Sequence, residues 1–275
     1  MSNLVKRTIS SIVFVALILG PLFLTERIAY SVYSLLGFFT LSELLNLTQK
    51  TGSSPLKVLG FTTYGILVAL VYQWIFHESE HSHLLLLALG AIVLVAFFIE
   101  IFRQNPKPFE SISAPLTTSL FTALSFLGIA YFYVYRSDLP SPWITISVFA
   151  LIWINDSAAY LVGRKIGKTK LFERLSPNKT REGSTAGLIF AMLAGYGLSF
   201  IEGMPHWGIM IAFSLVCVIS GSLGDLFESR IKRAAGVKDS GVFLPGHGGF
   251  FDRFDAMMLA IPTAILFFEA LLPKH

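Results

Sequence analysis

Charge is what this sequence has least of. Only 14% of its residues are Asp, Glu, Lys or Arg, against about 25% in ordinary soluble domains, while 54% are hydrophobic and the mean hydropathy is +0.67. That balance excludes a water-soluble globule and implies a bilayer. No polar stretch approaches the roughly 50 residues of a separate soluble domain, so one polytopic membrane domain over residues 1–275 is expected. Cysteine is nearly absent: Cys217 is alone, which rules out an intramolecular disulfide, and its place in an apolar segment favours a packed thiol over a nucleophile. The first apolar run follows Lys6 and Arg7 but meets Pro21 without a small-residue cleavage site, so it reads as a retained helix rather than a signal peptide. Period-two alternation is missing as well, which argues against a β-barrel.

What is present is a series of long apolar runs. A hydrocarbon core of about 30 Å needs about 20 apolar residues of helix, and nine segments qualify: Ile9–Leu24, Ile28–Leu47, Val58–Phe76, His83–Phe102, Pro115–Tyr135, Trp143–Val162, Thr185–Ile201, Trp207–Ser229 and Phe254–Leu272. Helices satisfy their own backbone groups in lipid, so the expected fold is all-α, a bundle of about nine transmembrane helices. Nine crossings put the termini on opposite sides. One side then receives 18 of the 21 Lys and Arg, the other only Arg27, Arg136 and Lys274. The positive-inside rule makes the basic side cytoplasmic, with the N-terminus inside and the C-terminus outside. His77, Glu78, Glu80, His81 and His83 fall outside, as a solvated loop or as donors for a transition metal.

Two long basic loops on the cytoplasmic side carry the chemistry, residues 163–184 and 229–253. The first holds seven cations against Glu173 and Glu182. Its segment Ser176-Pro-Asn-Lys179-Thr180-Arg-Glu182-Gly183 leads into an apolar helix, and a helix N-terminus beside a lysine suits phosphate oxygens. Topology control and attraction to anionic headgroups are the plainer reading of the same charges. The second loop follows Gly224-Asp225-Leu-Phe-Glu228-Ser229, in which Asp225, Glu228 and Ser229 share a helical face. Asp225 lies seven residues before Lys232, roughly 10 Å deeper along the helix, and ionisable groups at that depth usually line a site. Further on stand Lys232, Arg233, Lys238 and the run His247-Gly248-Gly249-Phe-Phe-Asp252-Arg253-Phe-Asp255. Carboxylates from two chain positions, cations and a glycine turn are the parts needed to hold Mg²⁺ and a triphosphate. Singly, each has a structural reading as a helix-start charge or a turn. Asn155 and Asp156, late in the sixth span, face the same side of the membrane and either line the site or bond between helices.

The stretch Ser229–Asp255 resembles the signature of the phosphatidate cytidylyltransferase family: S-x-hydrophobic-K-R, four residues, K-D, then H-G-G-hydrophobic-x-D-R-hydrophobic-D. It departs from that pattern nowhere. Ser176–Gly183 is similar to the family's S-P-x-K-T-x-E-G, although Arg181 and Ser184 stand where many members carry aromatic residues. The likeness covers the C-terminal half; the N-terminal spans match only in being apolar. It implies an enzyme that converts CTP and phosphatidic acid to CDP-diacylglycerol and pyrophosphate with Mg²⁺, and a second divalent or monovalent cation is left open. It further implies metal-binding aspartates at Asp225 and Asp252, with Glu228 and Asp255 as additional metal candidates. Lys179 and Lys238 join the two aspartates as catalytic candidates. Ser176, Thr180, Glu182, Ser229, Lys232, Arg233, His247, Gly248, Gly249, Arg253, Asn155 and Asp156 are the substrate-binding candidates.

The expected reaction is an in-line displacement at the α-phosphorus of CTP, in which metal ions clamp the attacking and leaving oxygens. The expected partners are CTP, phosphatidic acid and membrane lipids, with no nucleic acid; a homodimer through the N-terminal spans is a class-based expectation. The expected location is the bacterial inner membrane, with an organellar membrane second. A CTP-dependent polyprenol or phytol kinase would use the same parts. A transporter would show repeats and charges at the bilayer centre, whereas these charges lie toward one interface, and a catalytically dead scaffold would have lost the acids.

Overall fold

The computed structural model describes residues 12–76, 82–136, 142–173, 175–241 and 248–272. The chain is helical almost throughout. A short apolar helix α1 (Ile12–Phe23) is followed by α2 (Glu26–Lys50), α3 (Lys57–Ile75), α4 (Ser82–Phe102) and α5 (Pro108–Ala130), which runs on as a π-helical turn, Tyr131–Tyr135. Then come α6 (Trp143–Ile166), strands β1 (Lys170–Phe172) and β2 (Ser176–Thr180), and helices α7 (Arg181–Leu198), α8 (Trp207–Ala234) and α9 (Phe251–Leu271).

Among the described residues, seven helices are long and apolar enough to cross a membrane: α2 to α6, α8 and α9. The chain is a multi-pass membrane protein. Two of the nine expected spans stand apart. The first is described only from residue 12, and α7 is diluted in hydropathy by Arg181, Glu182 and four glycines, at 183, 187, 195 and 197. The all-α expectation holds except for one antiparallel hairpin, in which Lys170 pairs with Thr180 and Phe172 with Ser176.

The chain divides into two compact units, one of residues up to 131 with 231–253, the other of 132–230 with the residues from 254 on. In the first, α2, α3 and α5 meet through small residues. A Cβ at Gly37 would run into the Tyr64 hydroxyl, and one at Gly60 would press on Leu45 and Pro115; Tyr64 donates to the Ser34 carbonyl at 2.9 Å and Ser119 to the Gly60 carbonyl at 2.8 Å. Pro115 lies inside α5, where it cannot donate to the carbonyl of Ser111. The amide of Leu56 takes that acceptor instead, at 3.0 Å, so the proline costs no buried hydrogen bond.

In the second unit α7 runs antiparallel to α6. Its glycines set the spacing: side chains at Gly183 and Gly187 would strike Ala159, Gly163 and Asn155, and one at Gly195 would strike Ser214 of α8. The core continues through Phe132, Phe213 and Phe268. Arg136 is wholly buried beyond the π-helical turn, bonding Glu269 and the Leu272 carbonyl at 2.8 and 2.9 Å.

Candidate active site

The described part of the first basic loop is an ordered corner. Thr180 ends β2 and caps α7, its hydroxyl accepting the Gly183 amide at 3.2 Å. Gly163, Gly167 and Gly183 crowd round Thr180 so closely that a Cβ on any of them would collide with it. This start moves α7 four residues earlier than its hydropathy suggests. Glu182, in the first turn, accepts the amides of Lys168 at 3.1 Å and of Thr169 at 3.1 and 3.2 Å. Together with its own N–H, these bonds pull the carboxyl from the usual range down to about 2. Thr180 and Glu182 therefore hold the hairpin in shape. Ser176 stands at the start of β2, half-buried, and Lys170 donates to the Pro177 carbonyl at 2.6 Å.

Lys179 reaches from β2 to the Asp225 carboxylate of α8 and forms an ion pair with it. Asp225, Glu228 and Asp255 bring one carboxylate oxygen each to within 4.8 Å of one another. Glu228 is deeply buried, 2% exposed. The approach depends on Gly224, where a Cβ would run into the backbone carbonyls of Asp255 and Ala256. Asp156 feels the charges of Lys179 and Asp225, and the buried Asn155 donates to it at 3.0 Å. Ser229 is half-buried on the same helix. Asp156, Asp225, Glu228 and Asp255 thus gather acidic groups in the neighbourhood of the Lys179 ammonium. Hard oxygen donors at that spacing fit Mg²⁺, which takes one or two carboxylates and completes its shell with water or phosphate oxygens.

The second unit's trio does not include Asp252, which sits in the first unit. There one oxygen of Asp252 accepts Lys232 at 2.8 Å, and the other accepts the amides of Ser240 and Gly249 at 2.9 and 2.8 Å. Gly248 has φ of 79°, a conformation that glycine adopts without strain. The chain there turns back on Asp252, whose carboxylate a Cβ at Gly248 would strike. Around this turn, Arg233, Lys238 and Arg253 are exposed. His247, and the expected metal donors His77, Glu78, Glu80 and His81, lie outside the described residues. The second loop is shorter than expected, because α8 continues to Ala234 and α9 begins at Phe251.

Sequence reasoning passed over Glu43. It lies in α2, and its carboxylate accepts the Ser240 hydroxyl at 2.7 Å and the amides of Phe250 and Phe251 at 2.9 and 3.0 Å. The signal was available: an ionisable residue inside an apolar span is costly unless it is used.

Residues 5–271 match the model of the family described as the cytidylyltransferase family. The chain belongs to that family. Among similar proteins are the phosphatidate cytidylyltransferases of Staphylococcus saprophyticus, 31% identical over 262 residues, of Staphylococcus haemolyticus, 32% over 261, and of Staphylococcus aureus, 30% over 260. Each alignment spans 93% of this chain and 95% of its relative. The N-terminal spans, which looked merely apolar, are thus part of the cytidylyltransferase match. A nucleotidyl-transferring enzyme accounts for the acids gathered beside Lys179 better than a transporter or a scaffold does.

Proposed function

We propose that this cytidylyltransferase joins the cytidylyl group of CTP to phosphatidate, giving CDP-diacylglycerol and pyrophosphate, with Asp225, Glu228 and Asp255 holding Mg²⁺. The observation that carries the metal assignment is the convergence of those three carboxylates beside Lys179. The names and coverage of the staphylococcal relatives support the substrate assignment. Bound Mg²⁺ would neutralise phosphate oxygens and sharpen the charge on the reacting phosphorus.

The chain's own groups do the rest. A phosphate oxygen of the lipid forms the new bond to the α-phosphorus, the bond from that phosphorus to the bridging oxygen breaks, and pyrophosphate departs with the electron pair. A phosphate monoester has a second pKa near 6, so the lipid phosphate needs no protein base. Lys179, held against Asp225, is the cation that meets the triphosphate in this reading. Arg233, Lys238 and Arg253 are the exposed cations of the signature loop, and Lys232 with Asp252 fixes the shape of that loop. In this reading Asp252 is a loop-organising acid first; its role as a second metal ligand requires exchange of Lys232 for an ion.

The proposal keeps nine crossings, with the basic loops on the cytoplasmic face of a bacterial membrane. In its favour, α7 spans about 27 Å at 1.5 Å per residue and exposes Ile189, Phe190, Leu193 and Tyr196, an apolar face suited to lipid. The test is pyrophosphate release by the detergent-purified protein given CTP, phosphatidate and Mg²⁺, with omission of each component and analysis of the lipid product. A CDP-lipid supports the proposal. A phosphorylated lipid with CDP release would move the chain to the lipid-kinase chemistry.

A further inference from the structure

We infer that Glu43 is the positioning residue of the signature loop, the anion around which Ser240, Gly241, Gly249, Phe250 and Phe251 are arranged. Its two oxygens divide the work. One accepts the Phe250 amide, and the other accepts the Phe251 amide and the Ser240 hydroxyl. The amides of Phe250 and Phe251 stand at the N-terminal end of α9, where the positive end of the helix favours a carboxylate. Glu43 thus caps α9 from a helix about two hundred residues earlier in the chain, and does so inside a span that composition alone marks as lipid-facing.

The same contact explains two glycines of the motif. A Cβ at Gly241 would strike one oxygen of Glu43, and a Cβ at Gly249 would strike the other oxygen and the Ser240 hydroxyl. Neither glycine has the positive φ that demands one. Their bareness makes room for this carboxylate rather than, as the motif suggests at first sight, for a phosphate. Phe250 stacks on Phe39, one turn earlier on α2, with ring centroids 5.1 Å apart, so the loop is held to α2 by an apolar contact beside the polar one.

The experiment is hydrogen exchange on the full chain in detergent, without nucleotide, comparing Glu43→Gln and Glu43→Ala with the unsubstituted protein. Gln must turn its NH₂ toward one of the donors and so loses at least one bond to a charged acceptor, worth about tenfold in local opening. Exchange of the Phe250 and Phe251 amides is expected to rise by that factor in Glu43→Gln and further in Glu43→Ala, with the rest of α2 and α5 unchanged. The inference also requires that Gly249→Ala, damaging in the unsubstituted protein, cost less in the Glu43→Ala background. In turnover, which rests on the CTP assignment above, the CTP KM of Glu43→Gln is expected to rise about tenfold with a smaller fall in kcat. Unchanged exchange at Phe250 and Phe251 in both variants overturns the inference. So does a uniform rise across α2 and α5 in Glu43→Gln, which would make Glu43 a general packing residue. If Glu43→Ala fails to insert, Glu43→Gln alone decides. The exchange reading stands apart from turnover, so failure of the CTP assignment leaves it intact.

Discussion

Replacing Glu228 with Gln should stabilise the metal-free protein and remove its response to Mg²⁺, two effects of opposite sign from one substitution. The side chain is 2% exposed and its ligand oxygen lies within 4.8 Å of those of Asp225 and Asp255. Two unit charges at that distance repel by about 3.5 kcal/mol at an effective dielectric constant of about 20. Gln keeps the shape and removes two of the three repulsive pairs, together about 7 kcal/mol before any offset. The Lys179 ammonium paired with Asp225 offsets part of that repulsion already, which leaves an expected gain of about 2 kcal/mol. Mg²⁺ at a hundred times its Kd stabilises the unsubstituted protein by about 2.7 kcal/mol, and this increment should vanish in Glu228→Gln together with turnover. The assay is thermal unfolding in detergent with EDTA and across a Mg²⁺ titration. If Glu228→Gln unfolds earlier than the unsubstituted protein in EDTA and keeps its Mg²⁺ shift, the trio is not the metal site.

Lys179→Met leaves Asp225 without its ion-pair partner and should lower kcat/KM for CTP by about a hundredfold, the worth of a strong charge-assisted hydrogen bond, while protein yield from the membrane stays level. Glu182, with its carboxyl at about 2 in the folded protein and a reference of 4.5, binds protons more weakly folded than unfolded. Its contribution to the hairpin is therefore complete above pH 4.5 and fades as pH falls toward 2. Pepsin should cut within residues 168–180 progressively over that window, and Glu182→Gln should be cut throughout it. Arg136→Met breaks a pair whose Arg is fully buried and whose Glu269 partner side chain is 39% exposed. It should cost about 3 kcal/mol, read as an earlier thermal midpoint with unchanged KM for CTP.

The apolar runs located most helix ends to within a few residues, because a span must be long and greasy whatever it packs against, but α5 begins seven residues early at Pro108 and α8 runs five residues past Ser229. Their ends moved where caps intervened: Thr180 starts α7 early, and Glu43 and Asp252 start α9 at Phe251. Such caps are tertiary contacts, invisible to a hydropathy window. The i, i+3 spacing brought out Asp225 with Glu228, and the motif pointed to Asp255. That Asp225, Glu228 and Asp255 would form one group, with Asp252 tied to Lys232, required coordinates, since spacing along a chain does not say which helices meet. Thr180 and Glu182 illustrate the converse. Hydroxyls and acids before a helix resemble ligand-binding groups in a sequence, and the bonds they make here are to the backbone.

The contact at Gly224 has a consequence for where this enzyme works. The two acid-bearing helices touch there main chain to main chain, so the spacing of Asp225 and Asp255 is set by bond lengths and van der Waals radii, not by the repacking of flexible side chains. A bilayer changes in thickness and fluidity with temperature and acyl composition, and side-chain packing yields to such changes before backbone contact does. An acid cluster gauged by a glycine keeps its calibre as the surrounding solvent drifts, which suits a catalyst whose proposed product is itself a precursor of that solvent.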